Sequence, residues 1–99
     1  MLYAYRRYHE KRKHALEEPC VVISPDEMNK NLRTVTIAPM TSSSRPYPTR
    51  VEVDQSGQSG WIVLDQIRTV DKLRIVKKFE SLTEREIRSC KRVIKETFV

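Results

Sequence analysis

The apolar residues of this chain fall into short runs rich in β-branched side chains, and turn-forming residues bound most of them. The runs occupy residues 20–24, 34–38, 50–53 and 61–64. Pro25 and Pro39 follow the first two runs, and a Gly-containing turn at residues 56–60 precedes the last. Such runs predict strands, and their short connections favour a compact antiparallel sheet over parallel βαβ units. Residues 67–70 and 73–76 either extend this sheet or form turns. No uncharged apolar run approaches the ~18 residues of a membrane span.

The segment at residues 81–99 predicts one amphipathic helix. Thr83 followed three residues later by Glu86 is the capping-box pattern of a helix N-terminus. Leu82 and Ile87 are placed for a hydrophobic staple across that cap. The apolar stripe of the helix comprises Ile87, Cys90, Val93, Ile94 and Phe98. This stripe should pack on the sheet, which makes Cys90 a small core residue and not a nucleophile.

The length and charge of the chain limit its class. It has 99 residues, with 19 Lys and Arg against 13 Asp and Glu and a formal net charge of +6. One small domain is the most that this length supports. The positive charge favours a polyanionic partner, with nucleic acid ahead of a membrane surface. Because the first residues lack the apolar region of a signal peptide, we expect an intracellular, cytoplasmic protein.

Few residues suit metal or nucleotide chemistry. His9 and His14 are five residues apart, and Cys20 and Cys90 are seventy apart, so neither pair has a zinc-site spacing. The two glycines of the chain cannot build a phosphate-binding Walker loop or a dinucleotide fingerprint. We therefore expect no metal site and no cofactor.

Polar and basic side chains gather where the predicted strands end. Hydroxyl, guanidinium and carboxamide groups at such positions suit phosphate binding and base-edge hydrogen bonding. These residues are Thr41, Arg45, Arg50, Asp65, Gln66 and Arg68. The alternative is that Thr41 caps a turn and that the arginines are ordinary surface residues.

Four stretches of the sequence, in order and at matching spacing, resemble the MazF/PemK toxin family. They cover residues 19–29, 34–42, 47–51 and 60–71, and the last of them is the most recognisable. The resemblance runs from about Pro19 to the C-terminal helix. It implies a mainly β fold with a C-terminal helix (α+β), an SH3-like small β-barrel, and a homodimer.

The resemblance also implies a function. Members of this family are endoribonuclease toxins of type II toxin–antitoxin pairs, which cut single-stranded mRNA at short motifs without a metal, through a 2′,3′-cyclic phosphate. A cognate antitoxin protein blocks the RNA groove. The family's catalytic threonine maps to Thr41. The residues then expected to bind RNA are Ser42, Arg45, Arg50, Asp65, Gln66 and Arg68.

Residues 1–18 depart from the family pattern and predict an atypical basic and aromatic segment, followed by a toxin domain at residues 19–99. The family's catalytic arginine stands at the position of Glu18, where an acid would repel a phosphate. An inactive homologue that dimerises and binds RNA or antitoxin is therefore the alternative function. We expect the family's first strand to be missing from this segment. Either this segment fills the resulting gap as a helix or strand, with Tyr3, Tyr5 and Tyr8 supplying apolar area, or the fold is marginal.

Overall fold

A computed structural model describes residues 6–11, 17–55 and 58–98. Over these ranges the chain forms seven strands, two helices and two 3-10 turns, and the two turns flank the sixth strand. The strands are β1 (Arg6–Lys11), β2 (Glu17–Val22), β3 (Thr34–Thr41), β4 (Arg50–Gln55), β5 (Gln58–Val63), β6 (Arg68–Asp71) and β7 (Ile75–Ser81). The helices and turns are α1 (Asp26–Asn31), α2 (Glu84–Phe98), η1 (Leu64–Gln66) and η2 (Lys72–Arg74).

All recorded strand pairs are antiparallel, as the short connections predict. The strand order is β4-β5-β3-β2-β1-β7, and β6 pairs with β3 beside this path. β3 changes partner along one edge, because β6 pairs with its first half and β5 with Met40 and Thr41. The η1 turn lies in the chain between those two partners. Over the described residues the sheet does not close into a barrel, but the mainly β fold with a C-terminal helix is confirmed.

The face of the sheet toward α2 carries the larger core. Along β3 and β5, Ala38, Met40 and Ile62 contribute to this core, and Cys90 and Val93 contribute from α2. Cys90 is fully buried, which confirms its predicted place in the core. Ile87 and Ile94 pack against the same cluster. Phe98, at the last residue of α2, is exposed, so the predicted stripe ends one turn early.

The opposite face of the sheet carries a second core. It contains the strand residues that alternate with those facing α2, as a period of two requires. Its members are Cys20, Val22, Val35, Ile37 and Val70, with Tyr8 and Ile75 packed against them.

The expectation that the first strand is missing is wrong. β1 pairs with β2 through Tyr8↔Cys20 and His9↔Pro19, and it also pairs with β7. Tyr8 lies on the second core, so the aromatic residue acts as strand packing rather than as part of a helical stripe. The strand forms because β2 and β7 both offer backbone partners, which a local sequence pattern cannot reveal. Tyr3, Tyr5 and His14 lie outside the described residues.

The division of the chain after residue 18 stays a prediction, although β2 runs across that point from Glu17 to Val22. The pairing of β1 with β2 likewise extends to both sides of it.

The predicted capping box at the start of α2 is confirmed. The backbone N–H of Glu86 donates to Thr83 Oγ1 at 3.2 Å, and the backbone N–H of Thr83 donates to Glu86 Oε1 at 2.9 Å. Leu82 is buried in the core against which Ile87 packs, as the staple predicts. The sequence did not predict the short helix α1. Buried Ser24 fixes α1, because its hydroxyl hydrogen-bonds Asn29 Oδ1 and accepts from the backbone N–H of Thr36.

Candidate nucleic-acid interface

Thr41 is the last residue of β3 and lies half-buried at the point where the chain leaves the sheet. Its hydroxyl donates to the carbonyl oxygen of Ser43 at 3.0 Å and accepts from the backbone N–H of Ser43 at 3.3 Å. Thr41 therefore does cap a turn, as the alternative interpretation states. The same hydrogen bonds orient the Thr41 hydroxyl oxygen at the start of the loop formed by residues 42–49.

A cross-strand row of side chains runs through Thr41 on the face away from α2. Thr41 pairs with Trp61 on β5, and Trp61 pairs with Glu52 on β4. Directly opposite residues of antiparallel strands project their side chains to the same face, about 4.5–5.5 Å apart. The half-buried indole of Trp61 is thus a neighbour of the Thr41 hydroxyl. Sequence reasoning missed Trp61, because the continuous apolar run at residues 61–64 does not signal which face its indole takes.

Glu18 precedes the residues of β2 that pair with β3. The last recorded pair between these strands is Cys20↔Pro39, and continuing that register by two residues would align Glu18 with Thr41. Residues aligned in this way share one face of the sheet, here the face that carries Trp61. In that alignment the half-buried Glu18 would make this part of the site more negative than a cationic residue.

Arg50 is the centre of a polar network at the start of β4. Its Nε is 3.4 Å from Asp65 Oδ1, and its Nη1 donates to Ser44 Oγ at 2.6 Å. Its guanidinium carbon lies 4.8 Å from the ring centroid of Tyr47. Thr49 Oγ1 also donates to Asp65 Oδ1, at 2.9 Å. We call these five residues the Arg50 network.

The Arg50 network holds Asp65 in its ionised form. Partial burial acts to raise the pKa of Asp65, but hydrogen bonds from Thr49 and Arg50 outweigh it and set the pKa below the usual value of 3.8. The carboxylate therefore stays charged at neutral pH beside the guanidinium.

The structure brings some of the predicted site residues together and leaves others separate. Arg50 and Asp65 are in direct contact. Ser42 and Arg45 are exposed in the 42–49 loop, and Gln66 is exposed in η1. Arg68 is half-buried and pairs with Ile37, at the part of β3 that binds β6. Ser44, Tyr47 and Thr49 were not predicted, because their contacts with Arg50 and Asp65 depend on how the loop folds.

Two further features concern only the described ranges. Within residues 6–11, 17–55 and 58–98, no group of three His, Cys, Asp or Glu side chains is arranged to hold a metal ion. In the same part of the chain, no helix is both long enough and apolar enough to span a membrane.

Comparison with known proteins identifies the family. The model of the PemK-like, MazF-like toxins of type II toxin–antitoxin systems matches residues 4–98. This chain belongs to that family. The match includes β1, so the N-terminal strand is part of the PemK/MazF-like region.

Two curated relatives of this PemK/MazF-like chain are named Endoribonuclease MazF. The protein from Staphylococcus saprophyticus is 33% identical, over 77% of this chain and 68% of that protein. The protein from Staphylococcus epidermidis is 36% identical, over 67% of this chain and 60% of that protein.

Solved structures of lower identity show the same fold. The Mycobacterium tuberculosis toxin MazF-mt6 aligns with a TM-score of 0.83 at 19% identity, over 94% of this chain and 95% of that one. A MazF chain from a MazE-MazF crystal structure of Deinococcus radiodurans aligns with a TM-score of 0.83 at 20% identity, over 96% and 92%.

Proposed function

We propose that this protein is an endoribonuclease toxin of a type II toxin–antitoxin pair, which cuts single-stranded mRNA at short motifs. The observation that carries the proposal is the family match over residues 4–98. It is supported by Thr41, which sits at an open strand end between an indole and the loop that leads to the Arg50 network. A net charge of +6 favours attraction of a polyanion and makes binding depend on salt.

In this reaction the ribose 2′-oxygen attacks the adjacent phosphorus and the bond from phosphorus to the 5′-oxygen breaks. The products are a 2′,3′-cyclic phosphate and a free 5′-hydroxyl. The proton of the 2′-hydroxyl passes to a base, and the departing 5′-oxygen takes up a proton. Thr41 would donate its hydroxyl hydrogen to a phosphate oxygen in place of the Ser43 carbonyl. A guanidinium would offset the charge that grows on phosphorus oxygens.

Trp61 supplies the recognition element that single-stranded RNA requires. Unstacked bases of RNA bind by stacking on aromatic side chains, which contributes about 1–3 kcal/mol per base. Trp61 is directly opposite Thr41, so a base next to the scissile phosphate can reach its ring.

We further propose a cytoplasmic homodimer that a cognate antitoxin protein inhibits. One solved relative is an endoribonuclease in complex with its cognate antitoxin from a mycobacterial species. The same kind of protein partner is the natural inhibitor to seek for this chain.

A second candidate function is an inactive homologue that binds RNA or antitoxin without cleavage. Glu18 favours it, because the register aligns this carboxylate with Thr41 and a carboxylate repels the phosphate that Thr41 would hold.

Cleavage of a long mixed-sequence RNA by the purified chain in EDTA tests these functions. Discrete cuts that disappear in Thr41→Ala support the endoribonuclease. Binding without cuts, together with cleavage by Glu18→Arg, supports the inactive homologue. Absence of both cleavage and RNA binding in all three proteins would contradict an RNA function. Mapping of a 2′,3′-cyclic phosphate on the fragments checks the proposed chemistry.

A further inference from the structure

Arg50 is held in one direction by three kinds of contact. Asp65 binds its Nε, Ser44 binds its Nη1, and the Tyr47 ring lies 4.8 Å from its guanidinium carbon. Only 19% of the side chain is exposed. A long arginine side chain on a surface normally samples many rotamers, so these contacts remove most of that freedom before any ligand binds.

The same contacts leave part of the guanidinium available. An arginine side chain has five N–H donors. The recorded hydrogen bonds of Arg50 use one donor on Nε and one on Nη1, so three donors have no recorded partner among the described residues. A guanidinium fixed on one side and open on the other is suited to bind two oxygens of a phosphate.

Arg50 lies on the same face of the sheet as Thr41, two strands away on β4, and the 42–49 loop connects the two residues. Val51, the next residue, packs toward α2, so Arg50 projects to the opposite face, which carries Thr41 and Trp61. Ser44, which Arg50 binds, lies next to Ser43, which Thr41 binds. The 42–49 loop therefore couples the threonine hydroxyl to the guanidinium.

We propose that Arg50 is the catalytic cation of this ribonuclease site and that Asp65 is its positioning residue. Arg50 stabilises the charged phosphate in the transition state, in a chain whose position 18 carries a carboxylate. Asp65 fixes the direction of the guanidinium and makes no contact with RNA. This proposal rests on the proposed function, because it assigns roles within that reaction.

The contacts of Asp65 explain why its role is positioning. Its Oδ1 already accepts from both Thr49 and Arg50. Its charge would repel a phosphate if it faced the RNA directly. Paired with Arg50 it instead keeps the guanidinium oriented, and Thr49 keeps the carboxylate itself in place.

The test compares initial cleavage rates of Arg50→Ala, Arg50→Lys, Asp65→Asn and the double variant, with Arg92→Ala as the matched control. Arg92 is an exposed arginine of α2, the helix that packs on the face of the sheet opposite to Thr41. We expect Arg50→Ala to lower kcat about 10²–10³-fold, as removal of one charge-stabilising donor does elsewhere. Arg50→Lys should recover only part of this loss, since lysine lacks the planar fork. Arg92→Ala should change kcat and KM less than about threefold.

Asp65→Asn separates positioning from direct contact. We expect it to lower kcat about tenfold with little change in KM, and to have no further effect when Arg50 is already alanine. A merely structural role would leave kcat of the folded fraction unchanged, whatever the loss of stability. In ¹⁵N-labelled protein, the Nε–H signal of Arg50 should be rigid in the wild type and mobile in Asp65→Asn.

Several results would overturn the proposal. One is a kcat of Arg50→Ala within threefold of the wild type, and another is equal losses from Asp65→Asn in both backgrounds. If the wild type does not cleave RNA, the proposed function fails. The affinities of the variants for an uncleavable 2′-O-methyl RNA then test the role of Arg50. In that case weaker binding by Arg50→Ala than by Arg92→Ala supports the phosphate contact, and equal binding contradicts it.

Discussion

Glu86 joins α2 to the sheet by accepting a hydrogen bond from the backbone N–H of Asp54, at 3.3 Å. Its other carboxylate oxygen accepts from the backbone N–H of Thr83 at 2.9 Å. β4 is the last strand on its side of the recorded order, so its outer backbone groups are exposed to unwanted pairing. The Glu86 side chain therefore accepts a hydrogen bond from one backbone donor at the start of α2 and from one backbone donor of the edge strand β4.

This double contact predicts unequal effects of two substitutions. Thr83→Ala removes only the cap and should lower the free energy of unfolding by about 1 kcal/mol. Glu86→Ala removes the cap partner and the contact with β4, so it should cost more than Thr83→Ala. Urea unfolding measures both values. Arg85→Ala, in the first turn of α2 and exposed, is the control and should change stability by less than about 0.5 kcal/mol. Equal effects of the Thr83 and Glu86 variants would contradict the second contact.

The N-terminal strand predicts a loss of stability when its packing residue is removed. Tyr8 contacts the second core from β1, so Tyr8→Ala should lower the free energy of unfolding by about 2 kcal/mol. Tyr47→Ala removes a tyrosine that is 47% exposed and should have a much smaller effect. Thermal melts of both variants check this. If Tyr8→Ala and Tyr47→Ala have the same melting temperature, β1 does not contribute to the folded core.

The lowered pKa of Asp65 predicts a specific pH dependence. Its carboxyl titrates at lower pH when folded than when unfolded, so its contribution is fully present above the usual pKa of 3.8 and disappears as the pH falls through the lower folded value. The difference in stability between the wild type and Asp65→Asn should be about 0.5–1 kcal/mol near neutral pH and should shrink toward zero at an acidic pH below the folded value. Urea titrations at the two pH values measure it. A difference in stability that grows on acidification would contradict the lowered pKa of Asp65.

Cys90 should be unreactive in the folded protein. Burial, with a smaller contribution from the charge of Glu86, raises the pKa of its thiol to about 12. Because the thiolate is the reactive form, a disulfide reagent near pH 8 should not label the native chain. Cys20 is equally buried, so both thiols should react only after unfolding in urea. Rapid labelling of Cys20→Ser, in which Cys90 is the remaining cysteine, would contradict this packing.

Glu18 should weaken the binding of RNA. Replacing it by the isosteric Gln removes one negative charge that the continued register aligns with Thr41. A charge about 4 Å from a phosphate contributes about 1 kcal/mol in bulk water, so an uncleavable RNA should bind about fivefold more tightly at low salt. Glu52→Gln removes a carboxylate from the same row two strands away from Thr41 and should have a smaller effect. Unchanged affinity in Glu18→Gln would place its carboxylate away from the RNA.

Local sequence patterns were sufficient for the elements whose own residues carry the signal. The capping box of Thr83 and Glu86 and the alternation through residues 50–53 involve neighbours in the chain. β1 could not be predicted in this way, since Tyr8 takes its place through pairing with Cys20 on β2 and Lys78 on β7. The helix α1 likewise depends on a distant contact, the hydrogen bond from Thr36 to Ser24.

The same distinction between local sequence signals and distant contacts applies to the candidate site. The resemblance pointed to Thr41 and Asp65, and the polar residues at strand ends pointed to Arg50, as separate residues of a groove; those roles stay predictions. The contact between Arg50 and Asp65, fifteen residues apart in the chain, follows from how η1 and the 42–49 loop meet. The pairing that places Trp61 opposite Thr41 required the register of β3 and β5, which no short motif specifies.

The change of partner along β3 has a consequence for how such proteins diverge. The 42–49 loop and η1 carry three of the residues expected to bind RNA, Ser42, Arg45 and Gln66, yet neither contributes a rung to any recorded ladder. Substitutions there can alter which RNA is preferred while every strand keeps its alignment. Relatives that share only 18–21% of their residues with this chain nevertheless superpose on it with TM-scores of 0.76–0.84. The RNA preference can therefore change during evolution while the fold is retained.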